Sequence, residues 1–74
     1  MRATVLNASG EEIGTVELEL DGTPSRAGTR FVARGMRLRK GGLTFKADDG
    51  QTFEGFAERG DLDSFTGVLK PVDG

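Results

Sequence analysis

The chain has 74 residues with 12 glycines and two prolines, and it contains no cysteine, histidine, tyrosine or tryptophan. That length allows a single small domain, 1–74, which hides only about 60% of its unfolded surface on folding and must build its core from Phe, Leu, Val, Ile, Met and Ala. The missing residue types exclude disulfides, thiolate metal sites and histidine acid–base chemistry. A formal charge of −2 conceals three blocks: residues 1–25 carry −4, residues 26–46 carry +7 and residues 47–74 carry −5.

No stretch approaches the roughly 20 apolar residues of a membrane span, and none has the charged start and apolar run of a signal peptide. The expectation is a freestanding, soluble chain beginning at Met1, without membrane contact. The absence of cysteine agrees with a cytoplasmic location.

Glycine and proline leave no free interval longer than the nine residues Met1–Ser9, which argues against long helices. Within the intervals the apolar period is two. Val16, Leu18 and Leu20 alternate with Glu17 and Glu19, placing three side chains on one face of a strand and two carboxylates on the other.

In chain order, the first strand is expected at Arg2–Asn7, ended by the turn Ala8-Ser9-Gly10-Glu11. The second runs from about Ile13 to Leu20, with a bulge near Gly14 because Ile13 is out of phase with the residues after it. The turn-rich loop Asp21–Gly28 follows. The third strand, Thr29–Lys40, has Phe31 and Ala33 on one parity and Met36 and Leu38 on the other, and a bulge at Gly35 brings all four inward. Arg30, Arg34, Arg37 and Arg39 then all face out.

Gly41-Gly42 suits a two-residue hairpin leading into a fourth strand, Leu43–Ala47, and predicts pairing of Leu38 with Phe45 and of Met36 with Ala47. The same register sets Arg37 against Lys46, an unfavourable pair that Glu54 is placed to offset. A three-residue loop Asp48-Asp49-Gly50 predicts Phe45 opposite Phe53 and Thr44 opposite Glu54. A two-residue loop would oppose Phe45 with a carboxylate. The fifth strand, Gln51–Ala57, and the sixth, Ser64–Lys70, each carry a Phe followed two residues later by a Gly, the mark of neighbouring strands that bend sharply.

The fold class is therefore all-β: five or six antiparallel strands in meander order, forming a small barrel or a strongly twisted sheet. Closure would protect edges that the chain does little else to blunt.

The acid pairs Glu11-Glu12, Asp48-Asp49 and Asp61/Asp63 all fall in predicted turns, where Asp satisfies the backbone, and a chain this small has little room for a catalytic cleft. Asp61 and Asp63 lack the full calcium-loop signature. Arg59-Gly60-Asp61 spells the tripeptide of integrin ligands but reads as a plain turn. Gly41-Gly42 has no helix behind it to hold a phosphate. The chain is read as non-enzymatic, with no cofactor and no metal.

Two features point to binding. One is the basic run of strands three and four, whose outward residues are Arg30, Arg34, Arg37, Arg39 and Lys46; the bland reading is that they pair across strands with Glu17, Glu19 and Glu54. The other is Phe56, which with Val32 and Val68 falls on the outward parity. The expected function is a small interaction protein, accessory, regulatory or inhibitory, that binds a protein partner through an exposed sheet face as a monomer or homodimer. The alternative is nucleic-acid binding through the basic strand 30–46. It ranks second because the Phe residues mostly point inward and leave no stacking platform beside the arginines.

Overall fold

The computed structural model describes residues 1–72 and contains six strands and no helix. They are β1 (Arg2–Leu6), β2 (Glu12–Leu20), β3 (Thr29–Arg34), β4 (Gly41–Ala47), β5 (Thr52–Gly60) and β6 (Ser64–Pro71). Each half of the chain runs in meander order, β1-β2-β3 and then β4-β5-β6, with every neighbouring pair antiparallel. The halves join where β3 pairs with β6 and β1 with β4, so the ring β1-β2-β3-β6-β5-β4 closes into a small barrel. Closure leaves no strand edge unpaired.

The alternating pattern explains the interior. Inward positions carry Val5, Val16, Leu18, Phe31, Leu43, Phe45, Phe53, Phe65 and Leu69, all buried, with Ala3, Ala33, Ala47 and Ala57 filling the spaces between them. Large and small residues alternate because a six-stranded barrel is too narrow for a large side chain at every inward position. Phe31 meets Phe45 and Phe65 edge-on, with centroids 5.0 and 5.8 Å apart, and Phe45 stacks on Phe65 at 6.1 Å. Leu38, expected in this core, is only partly buried at its margin.

Two irregularities match the sequence pattern. Val5 pairs with Gly14 and Leu6 with Glu12, so Ile13 is the bulged residue beside Gly14. The β4–β5 connection is the expected three-residue loop: Gly50 has φ 94°, its N–H donates to the Ala47 carbonyl at 3.1 Å, and Phe45 faces Phe53. Asn7, expected at the end of the first strand, instead organises the turn after it. Its Oδ1 accepts the N–H groups of Ser9 and Glu11 at 3.0 and 2.9 Å. The loop before β3 is tied to the buried Thr29, whose Oγ1 accepts the Ser25 N–H at 3.0 Å.

The third strand departs from expectation. It ends at Arg34 rather than Lys40, and Gly35 is not an internal bulge. With φ 117°, Gly35 turns the chain out of the sheet, and its N–H donates to the Asp63 carbonyl at 2.8 Å. Residues 35–40 then cross one end of the barrel as a strap. Met36 and Leu38 still face the core, but from the strap. Their predicted partners lie elsewhere: Phe45 pairs with Val5 and Phe53, and Ala47 with Ala3. The Gly41-Gly42 hairpin is therefore absent, and Gly41 and Gly42 begin β4, opposite Ala57 and Phe56. An i, i+2 apolar pattern suits a strap lying over a barrel end as well as it suits a strand, so parity alone could not tell them apart.

Candidate interaction face

The ring separates the basic residues that the chain keeps together. Arg30 and Arg34 lie on β3 and face out, while Arg37 and Arg39 sit on the strap. Lys46 lies on β4, between Thr4 and Thr52, three places from β3 in a ring of six and so on the opposite wall. The predicted Arg37–Lys46 opposition does not form, because β3 and β4 are not neighbours.

The cross-strand pairing expected of the basic residues forms in part. Arg34 Nη1 reaches Glu19 Oε2 at 2.7 Å, and Arg2 Nε reaches Glu17 Oε1 at 3.4 Å. By hydrogen bond and by charge, the Arg34 guanidinium holds the Glu19 carboxyl below its ordinary value. Both pairs are exposed, so they orient side chains more than they stabilise the fold. Among the described residues, Arg30, Arg37, Arg39, Lys40 and Lys46 form no ion pair.

Phe56 stands outward on β5, 46% exposed. Its cross-strand partner on β6 is Val68, and Val68 in turn pairs with Arg30 on β3. Phe56, Val68 and Arg30 thus form one row across three adjacent strands. Val32 lies diagonally from Val68, paired with Thr66, so the outward apolar trio read from parity is contiguous. Of the six residues singled out for binding, the fold brings together Arg30 and Phe56, keeps Arg34 at the far end of β3, and disperses Arg37, Arg39 and Lys46.

Sequence reasoning missed the charged residues beside Phe56 as part of a binding face. In Glu54-Gly55-Phe56 the alternation puts Glu54 on the same side as Phe56, and the β5–β6 ladder then shifts between Ala57 and Arg59, so that Glu58 is bulged and Arg59 stands opposite the outward Thr66; all three charged residues are exposed. On the other side of Val68, a shallow recess of about 450 Å³ lies between β2, β3 and β6. Glu19, Leu20, Asp21, Arg30, Phe31, Val32 and Thr66 line it. The face therefore carries a projecting ring on one flank and a hollow on the other.

Leu62, between the turn acids Asp61 and Asp63, is 82% exposed in the connection from β5 to β6. Arg59 and Gly60 of the adhesion-type tripeptide are not at a loop tip but paired with Thr66 and Phe65. Two of the turn acids cap backbone: Asp49 Oδ1 accepts the Gln51 N–H at 3.0 Å, and Asp61 Oδ1 accepts the Leu62 N–H at 2.8 Å. Among the described residues, no helix is long and apolar enough to cross a membrane. Set against known protein families, characterised proteins and solved structures, the chain matches none.

Proposed function

We propose that this chain is a non-enzymatic interaction module, accessory, regulatory or inhibitory in role, that binds a protein partner through the outer face of β3, β6 and β5. The observation that carries the reading is the row Phe56–Val68–Arg30, in which an exposed aromatic ring, a half-buried valine and an arginine that forms no ion pair among the described residues are cross-strand neighbours. Exposed aromatic and arginine side chains around an apolar centre are what protein interfaces use as anchors. The closed ring supports a reading through side chains, since no edge strand is available for a peptide to extend the sheet. A cytoplasmic location belongs to the same proposal.

Nucleic-acid binding is the second reading, and what favours it is the strap, where Arg37, Arg39 and Lys40 lie close in sequence and form no ion pair among the described residues. It ranks second because no aromatic ring stands on the strap and Lys46 is on the opposite wall. Affinity capture from the native host, with and without nuclease, tests the two. The expected outcome is a protein held equally in both conditions by the parent and lost with Phe56→Ser. Capture that nuclease abolishes, or that Phe56→Ser leaves unchanged, overturns the proposal.

A further inference from the structure

We propose that the strap, residues 35–40, is a processing site: a protease that cuts after lysine or arginine severs the chain there, and the product is a barrel made of two chains. The Lys40–Gly41 amide breaks with the addition of one water. The water oxygen joins the Lys40 carbonyl carbon as a carboxylate, and its two protons end on the Gly41 nitrogen as an ammonium group.

A protease takes its substrate as several residues of extended backbone, whose N–H and C=O groups must be free to pair with the cleft. The strap offers them. Among the described residues, residues 36–40 make no backbone hydrogen bond, and Arg37, Arg39 and Lys40 are exposed and form no ion pair. Three contacts hold the strap down: the Gly35 N–H on the Asp63 carbonyl at 2.8 Å, the Met36 sulfur on Gly14, and the Leu38 carbonyl over Gly60. The bond after Arg37 lies between the seated Met36 and Leu38. The bonds after Arg39 and Lys40 lie outside both, next to Gly41 and Gly42, where a Cβ would meet nothing within 4 Å.

The other seven basic residues are tied down. Arg2, Arg30, Arg34, Lys46, Arg59 and Lys70 lie in strands and have cross-strand partners. Arg26 sits in a loop, but the turn around it is closed by the Gly28 N–H on the Ser25 carbonyl and by the Ser25 N–H on Thr29 Oγ1, both at 3.0 Å. Cutting is therefore confined to the strap, since nicking follows exposed backbone without partners rather than basic side chains as such.

The cut falls at a joint between like halves. Residues 1–40 hold β1-β2-β3 and residues 41–74 hold β4-β5-β6, and the first turn of each is built alike: the Gly10 N–H donates to the Asn7 carbonyl at 2.9 Å, and the Gly50 N–H to the Ala47 carbonyl at 3.1 Å. Apart, each half would have two open strand edges and a bare apolar face. Together they close both seams, β3–β6 and β1–β4, and Phe31 of one half packs on Phe45 and Phe65 of the other. The halves also carry opposite charge: seven bases and five acids give +2, and three bases and seven acids give −4. Losing the strap's covalent link leaves all of these contacts in place.

Limited digestion of the full chain with trypsin tests the site. Intact mass should show the first cut after Arg39 or Lys40. The two pieces should elute together at the position of the uncut protein and keep its strand circular dichroism until denaturant separates them. Replacing Arg37, Arg39 and Lys40 with Gln should slow the first cut by about tenfold or more, although seven basic residues remain. In the uncut parent, the amides of residues 36–40 should exchange with solvent far faster than those of Phe31 and Ala33. A first cut anywhere else, a triple variant cut as fast as the parent, strap amides as slow as those of β3, or pieces that part or unfold on cutting overturns the proposal.

Discussion

Gly67→Ala adds one methyl group to the wall of the barrel, and it should be among the most damaging small substitutions in the chain. Gly67 lies inward on β6, paired with Ala57 on β5. A Cβ built there falls inside the envelope of the Phe56 carbonyl oxygen, 2.9 Å from its carbon and 3.1 Å from Ala57 Cα. These are backbone atoms, so no side chain can swing aside. To reach ordinary contact the two strands must part by about 1.5 Å, which takes the neighbouring ladder bonds out of hydrogen-bonding range. Two such bonds at about 1 kcal/mol each, together with the strain of overpacking, put the cost at about 2–4 kcal/mol. At about 4–8 °C per kcal/mol for a domain this small, the melting temperature should fall by about 10–30 °C. Gly42→Ala is the matched control, because a Cβ at Gly42 meets nothing within 4 Å. Thermal melts followed by circular dichroism should show the control at or above the parent. If Gly67→Ala melts within a few degrees of Gly42→Ala, the close approach of β5 and β6 is not as described.

Phe45→Ala removes a fully buried ring that contacts Phe31 at 5.0 Å and Phe65 at 6.1 Å, and should cost about 3–5 kcal/mol in urea unfolding, a large share of the stability of so small a domain; a parent-like midpoint would contradict the packing. Phe56→Ser, on an exposed ring, should change stability by no more than about 0.5 kcal/mol, and a larger loss would mean that Phe56 belongs to the fold rather than to an interface. Because Arg34 depresses the Glu19 carboxyl in the folded state, their interaction is fully present above the ordinary glutamate value and is lost as pH falls through the lowered one. Arg34→Gln should therefore return the Glu19 titration, followed by carboxyl NMR, to its ordinary position, and an unmoved titration would refute the pairing. The parent should show weak, low-salt retention on RNA at most, abolished by replacing Arg34, Arg37 and Arg39 with Gln; tight, salt-sensitive binding at physiological ionic strength would reverse the order of the two proposed functions.

The parity of the apolar residues determined the strands and what each turns inward, because alternation along an extended chain is a local property. Phe31, Phe45, Phe53 and Phe65 were legible as core for that reason, as was the bulge beside Gly14. The β4–β5 register was legible too, since a short loop ending in Gly50 admits few geometries and only one of them pairs Phe45 with Phe53. Which strands become neighbours across the ring was not legible. Ala3 with Ala47 and Phe31 with Gly67 are distant in sequence, and no local pattern encodes their pairing. The left-handed turn at Gly35 depends on the same tertiary choice, since it diverts Met36 and Leu38 onto the barrel end without altering their inward parity. The basic run was plain in the sequence as a run, but closure divided it, sending Lys46 to the wall opposite β3 and Arg37 and Arg39 to the strap. The same closure inserted β6 between β3 and β5, which alone makes Arg30 and Phe56, 26 residues apart in the chain, two ends of one row.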